Sequence, residues 1–79
     1  MREMGLDRLA PYGYARVIRI CDSDGKKRLE SLGVTEGVVI CRLFSAPGGD
    51  PTAYSVRGSV IAIRASDAEN IIVGDGLWE

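Results

Sequence analysis

Histidine is absent from this chain of 79 residues, and cysteine occurs only twice, as Cys21 and Cys41. Without histidine, the chain lacks the most common general base of enzymes and the most common neutral ligand of metal sites. The cysteines belong to no Cys-x-x-Cys unit, and no histidine completes a four-ligand site with them. We therefore predict no metal site and no cofactor, and expect each cysteine to be a small buried hydrophobic residue.

The chain also lacks a long apolar run and an excess of either charge. No window approaches the ~18 consecutive apolar residues that a membrane-spanning helix needs, so no membrane insertion is expected. Ten basic and eleven acidic residues give a formal net charge of −1. Nucleic-acid-binding domains usually carry a basic surface, so no nucleic-acid partner is expected. Since no secretory signal precedes the cysteines, we expect a protein of the reducing cytoplasm.

Sequence motifs for catalysis or phosphate binding are missing as well. If Asp22 and Asp24 belonged to a calcium loop, Ile20 and Ser31 would fill its first and last ligand positions, where neither can serve. The glycine-rich stretch 46–52 does not end in the Lys-Ser/Thr pair of a P-loop. The serines have no partner base, and the carboxylates are scattered through turns. We predict that the chain is not an enzyme.

The chain does contain a series of short strand-like segments between Gly and Pro turns. Hydrophobic residues and β-branched residues predict strands over 14–21, 38–44 and 70–73, and two more within 53–65. The alternation slips at Val17-Ile18, which indicates a β-bulge or burial on both faces. About five short strands around one core predict an all-β fold, a small barrel, because closure removes exposed sheet edges.

Two short helical segments interrupt these strands. Leu29 and Leu32 stand three residues apart, which predicts one short amphipathic helix between the first two strands, with Gly33 as its left-handed stop. A helix this short is not stable alone, so both leucines are expected to be buried. Ser66 and Glu69 have the spacing of a capping box, which predicts a single helical turn before the last strand.

Three segments are candidates for a partner-binding surface. The first is the exposed face of the helix, with Lys26, Lys27 and Glu30, and the second is the loop 47–51. The third is Trp78 near the C-terminus, because an exposed tryptophan can anchor an interface. Each also has a plain structural interpretation: a solvated helix face, a loop that only closes the barrel, and a tryptophan that packs on its own barrel.

Arginines on the predicted strands offer a further possibility, a basic face of the kind that small RNA-binding barrels use. Such barrels interleave aromatic residues with the cations for base stacking. The aromatic residues here are spread along the chain and partly follow the core pattern, so a solvated surface of mixed charge is the preferred interpretation. The strand arginines are Arg16, Arg19, Arg42, Arg57 and Arg64, and the aromatic residues are Tyr12, Tyr14, Phe44, Tyr54 and Trp78.

The order and spacing of several short motifs resemble the FeoA family (ferrous iron transport protein A). That family shows Arg-Leu, a Leu-Gly-aliphatic-Thr-Pro-Gly turn, an Ala-Pro-x-Gly-Asp-Pro loop and a strand that ends in Arg-Gly. The chain departs at Glu36, where proline is usual, at Arg42, where an aliphatic residue is common, and at Gly48, where leucine is common. The matching residues are Arg28, Leu29, Leu32, Gly33, Thr35, Gly37, Ala46, Pro47, Gly49, Asp50, Pro51, Arg57, Gly58, Ala62, Arg64, Ala68 and Glu69.

The resemblance implies an SH3-like β-barrel formed by one domain over 1–79, with 75–79 as a tail, in the cytoplasm of a prokaryote. It also implies a non-enzymatic accessory role in ferrous iron uptake. The implied partner is FeoB, the membrane transporter with a cytosolic GTP-binding domain, on which the protein would dock at the inner face of the membrane. Two alternatives stay open: the SH3-like regulatory module of a metal-dependent transcriptional repressor, and a small RNA-binding barrel.

Overall fold

Six strands, two short α-helices and one 3₁₀ turn make up the fold of residues 2–74, the part of the chain that the computed structural model describes. The strands form one antiparallel sheet, and the elements follow the all-β pattern expected from the sequence. In chain order they are β1 (Glu3–Gly5), the 3₁₀ turn (Leu6–Arg8), β2 (Tyr14–Ile20), α1 (Lys26–Ser31), β3 (Val39–Ser45), β4 (Thr52–Val56), β5 (Ser59–Ile63), α2 (Ala65–Ala68) and β6 (Ile71–Gly74).

The strands lie in the order β1-β6-β2-β3-β4-β5, so β1 and β5 are the two ends of the sheet. Within residues 2–74, no hydrogen-bonded seam joins these end strands, and the sheet is open where a closed barrel was expected. Strand β1 was not predicted, because its three residues are too few to show an alternating pattern. It pairs with β6, and the turn after it buries Leu6 completely in the core.

The predicted β-bulge in the first long strand is confirmed. The pairing of β2 with β6 shifts between Val17 and Arg19, which leaves Ile18 as the extra residue. Ala15 and Val17 are buried before the bulge, and Ile20 is buried again after it. Without the extra residue, the alternation would turn Ile20 toward solvent, so the bulge keeps both halves of the strand facing the core.

Helix α1 ends in a Schellman motif, as Gly33 indicated. Gly33 has φ of +99° and its amide donates to Glu30 O at 3.0 Å, while the Val34 amide donates to Leu29 O at 3.0 Å. Leu29 and Val34 are both fully buried, so they form the hydrophobic contact that accompanies this motif. The prediction that Leu32 is buried was wrong: its side chain is 38% exposed, because the reversal at Gly33 turns Val34 into the core.

The turn between α1 and β3 explains how glutamate replaces the usual proline at position 36. The Val38 amide donates to Thr35 O at 3.2 Å, and Gly37 has φ of +87°, while Glu36 has an ordinary negative φ. This is a type II turn, which needs glycine at its third position and accepts proline or another residue at its second. The Gly37 amide also donates to Val17 O at 2.8 Å, which fixes the turn against β2.

The hairpin between β4 and β5 has the tight connection that its sequence predicted. Arg57 and Gly58 have φ of +51° and +84°, the two positive values of a type I′ turn, between the paired residues Val56 and Ser59. Tyr54 and Val56 on β4 are buried.

Arg42, which stands where an aliphatic residue is common in the family, ties β3 to the chain segment before β2. Its Nη1 donates to Leu9 O at 2.6 Å, its amide donates to Gly13 O at 2.9 Å, and the Tyr12 amide donates to Arg42 O at 2.7 Å. The side chain is half-buried, so this strand position faces the protein despite its charge. The Arg42 guanidinium thus donates a hydrogen bond to a partly buried backbone carbonyl, which an aliphatic side chain could not do.

The capping box predicted at Ser66 and Glu69 is not formed. Helix α2 begins one residue earlier, at Ala65, and no side chain of its N-cap residue Arg64 caps it. Ser66 therefore lies inside the first turn, where its hydroxyl cannot act as an N-cap. Instead, Asp50 Oδ1 accepts a hydrogen bond from the Ala65 amide at 2.9 Å, so the cap comes from the distant loop before β4.

Candidate functional site

The predicted binding residues of α1 are held on a helix that is fixed at its buried side. Leu29 is fully buried, whereas Lys27 and Glu30 are exposed. Lys26 is half-buried, so the prediction of an exposed helix face holds for two of the three residues. Within residues 2–74, neither lysine forms an ion pair with Glu30. We call Lys26, Lys27 and Glu30 the helix surface.

The first half of α1 contacts α2. Arg28 Nη1 lies 3.9 Å from Asp67 Oδ2. A Cβ added at Gly25, the residue before the helix, would lie 2.6 Å from Asp67 Oδ1, so the Asp67 side chain packs closely against the start of the helix. Together with the Schellman motif at its other end, these contacts fix the orientation of the helix surface relative to the sheet.

The second candidate segment, the loop 47–51, is anchored on both sides. The Ala46 amide donates to Pro51 O at 2.8 Å, and the Gly49 amide donates to Ala46 O at 2.8 Å. Asp50 caps α2 through its Oδ1, as described above, so its side chain has a structural role. The third candidate, Trp78, lies outside the described residues, as does the rest of the tail 75–79.

Both cysteines are free thiols and neither belongs to the buried core. Cys21 is exposed, which corrects the expectation that it is a buried hydrophobic residue, because the chain leaves β2 for the turn at that point. Cys41 is half-buried on β3, and its Sγ lies 3.8 Å from Tyr12 O. Among residues 2–74, no group of three or more His, Cys, Asp or Glu is placed to hold a metal ion.

One titratable group in the described chain is clearly perturbed by its surroundings. Burial raises the pKa of Tyr54 above its ordinary value of 10.0, and the nearby charge of Arg42 opposes that rise. Asp7 and Asp50 add to the rise. The residue points into the core from β4, and no pocket is found within residues 2–74. Tyr54 is therefore a core residue.

Sequence reasoning missed a set of exposed apolar side chains on the sheet. The aromatic residues were judged too dispersed to form a surface, but Tyr12, Tyr14 and Phe44 are 72%, 60% and 62% exposed. The register could have found part of this set, since Tyr14 and Cys41 are direct partners across β2 and β3. Positions far apart in sequence therefore meet on one side of the sheet.

None of the helices between residues 2 and 74 reaches the length and apolar character that a membrane crossing requires.

Comparison with known proteins identifies the family. A FeoA-like protein from Clostridium acetobutylicum is 29% identical, with a TM-score of 0.88 over 100% of this chain and 93% of that protein. FeoA from Stenotrophomonas maltophilia, solved in complex with zinc and described as a prokaryotic SH3 domain protein, is 28% identical. Its TM-score is 0.81 over 90% of this chain and 89% of the other. No curated protein matches the sequence.

A more distant similarity concerns the fold alone. A manganese-dependent transcriptional repressor is 17% identical, with a TM-score of 0.83 over 94% of this chain but only 37% of the repressor. A shared fold at this identity does not carry a shared function. In contrast, the model of the FeoA domain matches residues 4–74. The chain therefore belongs to the FeoA family, whose members have an SH3-like fold and are linked to ferrous iron transport.

Proposed function

We propose that this chain is a non-enzymatic cytoplasmic accessory protein of ferrous iron uptake. In this role it docks on the cytosolic part of the membrane transporter FeoB, is recruited to the inner face of the membrane through that contact, and supports or regulates transport. The observation that carries the proposal is the match of the FeoA domain over residues 4–74, which is nearly all of the described chain.

The helix surface supports this proposal because it is charged and rigidly held. Lys27 and Glu30 are exposed on a helix that a buried leucine and a Schellman motif keep in place. Docking such a surface orders few additional groups, so less conformational entropy is lost on binding. Exposed charges at an interface mainly set the association rate and the choice of partner. We propose Lys26, Lys27 and Glu30 as docking residues, with Trp78 as an additional anchor.

The proposal is tested by direct binding and by transport. The purified chain is titrated with the cytosolic part of FeoB from the same genome, with and without guanine nucleotide, and ferrous iron uptake is measured in a strain that lacks this gene. We expect saturable binding and reduced uptake. Absence of binding in both nucleotide conditions, together with normal uptake in the deletion strain, would rule the proposal out.

The docking residues are tested by charge reversal with a matched control. Lys27→Glu should slow association with the FeoB part by about threefold or more, because it removes a favourable rim charge. Arg8→Glu makes the same change of charge at another exposed helical position and should leave association unchanged. Lys26→Glu and Trp78→Ala complete the series. Equal association rates for Lys27→Glu and Arg8→Glu would exclude the helix surface as the docking site.

A further inference from the structure

The strands β2 to β5 carry a row of side chains, with exposed apolar residues at both ends, on the side that faces away from the core. Tyr14 and Cys41 are direct partners, Cys41 is the partner of Ser55, and Ser55 is the partner of Val60. Side chains of directly paired residues lie on the same face with neighbouring Cβ atoms, so these four form one row across four strands. Tyr14 is 60% exposed and Val60 is 63% exposed.

Two further apolar side chains extend this row on either side. Val39 is 43% exposed and pairs with Arg16, two residues from Tyr14 along β2. Phe44 lies where the pairing of β3 with β4 shifts between Arg42 and Ser45, and its ring is 62% exposed. We define the outer face by its exposed and half-exposed members, which are Tyr14, Val39, Cys41, Phe44, Ser55 and Val60.

The charged residues on strands β2 to β5 are all basic. Strands β2 to β5 contain no Asp or Glu, although the whole chain has eleven acidic residues. Arg16 lies on the face as the partner of Val39, and its Nη1 donates to Gly37 O at 2.8 Å. Arg64 follows β5, whereas the Cδ of Arg57 lies close to Gly33 at the end of α1. All three side chains are exposed. The row is therefore apolar at its two ends, Tyr14 and Val60, and arginines are the only charged residues on these strands.

This charge pattern selects the kind of occupant. In a two-fold dimer the same surface faces itself, so a second copy would bring arginines to arginines without a carboxylate on the face to neutralise them. Single-stranded nucleic acid needs cations that follow its phosphates between the stacking rings. Between Tyr14 and Val60 the row contains only Cys41 and Ser55, so no cation lies between its two ends.

We propose that the outer face binds an acidic amphipathic helix of a partner protein. The apolar side of that helix covers Tyr14, Phe44 and Val60, and its flanking carboxylates pair with Arg16 and Arg64. The row crosses three strand spacings of about 4.8 Å, or ~14 Å in all. At 1.5 Å per residue, a helix of about ten residues spans this distance. The proposal concerns a surface other than the helix surface and does not rest on the proposed function.

The binding probe is a designed, fluorescein-labelled helical peptide of about fourteen residues, which at about 21 Å extends beyond both ends of the row. It carries Leu and Phe on one side and Glu at the flanking positions, and a second peptide carries Lys in place of each Glu. Fluorescence anisotropy with the full chain should show saturable binding of the acidic peptide. The lysine peptide should bind about tenfold or more weakly, because its charges meet the arginines. Equal affinity of the two peptides would overturn the proposal.

Variants of exposed residues locate the binding surface without disturbing the core. The double variant Tyr14→Ser with Phe44→Ser should weaken the acidic peptide by about tenfold or more, because aromatic anchors dominate interface energies. Leu32→Ser is the matched control, since Leu32 is a partly exposed apolar residue outside the outer face. It should bind the peptide as the native chain does. Unchanged affinity in the double variant would refute the assignment.

Other occupants give distinguishable results. Binding of a labelled dodecamer of uridine RNA more tightly than the acidic peptide would overturn the proposal in favour of nucleic acid. If sedimentation equilibrium shows a dimer and the double variant abolishes it, the occupant of the outer face is a second copy of the chain. If the peptide binds only after residues 75–79 have been removed, the occupant of the outer face is this segment of the chain itself, whose sequence is acidic and apolar.

Discussion

Replacing Leu29 with alanine tests whether one buried side chain holds the short helix α1. Leu29 is fully buried, while Leu32, only three residues later, is 38% exposed. The two positions therefore form a matched pair of the same residue type at the same end of one helix. Deleting a buried leucine side chain removes its transfer free energy and leaves a cavity, at a combined cost of about 2–5 kcal/mol.

The expected loss is a large part of the total stability. At about 0.05–0.15 kcal/mol per residue, a domain of this length has a free energy of unfolding of roughly 4–12 kcal/mol. Since about 1 kcal/mol shifts Tm by 4–8 °C at this size, Leu29→Ala should lower Tm by at least ~8 °C. Leu32→Ala opens no closed cavity and should cost about 1 kcal/mol, the transfer free energy of a partly buried side chain.

Urea denaturation followed by far-UV circular dichroism measures both losses, with an unchanged m-value as the sign that only stability has changed. If Leu29→Ala does not fold, Leu29→Val provides the smaller step of about 1 kcal/mol. Equal losses at the two positions would refute the conclusion that Leu29 alone anchors the helix. So would a loss at Leu29→Ala below about 1 kcal/mol, since a buried leucine replaced by alanine usually costs about 2–5 kcal/mol.

Three further predictions concern the cap of α2, the buried tyrosine and the type II turn. Asp50→Ala should lower the free energy of unfolding by about 0.5–2 kcal/mol through loss of the cap, whereas Ser66→Ala should stay within ±0.5 kcal/mol in the same urea assay. Burial raises the pKa of Tyr54, so ionisation of this tyrosine favours the unfolded chain. The free energy of unfolding should therefore fall as the pH rises from about 9 to about 11, and it should fall less in the Tyr54→Phe variant. Glu36→Pro should raise Tm, by a stabilisation of about 0.4–1 kcal/mol, because proline fits this turn position and restricts the unfolded chain; a lower Tm would contradict the turn assignment.

Local sequence signals predicted the features that depend on neighbouring residues. The β-bulge after Val17, the stop at Gly33 and the hairpin at Arg57-Gly58 are all encoded within a few positions. Each depends on backbone conformation or on alternation along a single strand, which the local sequence determines. The order of the short motifs along the chain predicted a resemblance to the FeoA family, and the match of the FeoA domain over residues 4–74 confirms it.

Features that depend on distant residues could not be predicted in this way. A Ser-x-x-Glu pattern at Ser66 indicated a local cap, but Asp50 supplies the cap from fifteen positions away. Either Leu32 or Val34 could occupy the core next to Leu29, and the Schellman motif places Val34 there and leaves Leu32 exposed. In each case a tertiary contact overrode a plausible local pattern.

The outer face could not be read from the sequence because its members are dispersed along the chain. Tyr14 and Val60 are 46 positions apart, yet they lie in one row once three strand pairings are known. The register also moves Phe44 relative to a regular alternation, through the shift between Arg42 and Ser45. A pattern search along the chain therefore sees isolated aromatic residues, whereas the folded sheet presents them together.

Net charge is an equally incomplete guide to this surface. The chain is nearly neutral overall, but β2 to β5 contain no acidic residue, and the carboxylates of residues 2–74 lie on β1, the helices and the turns. At an ionic strength of about 0.1 M, exposed charges more than ~10 Å apart are largely screened, so a partner responds to the local charge and not to the total. Raising the salt should therefore weaken an acidic ligand of the outer face while leaving the contribution of Tyr14 and Phe44 in place. A surface of mixed charge such as Lys27 with Glu30 should show a smaller salt effect, and this difference separates the two proposed interactions in one experiment.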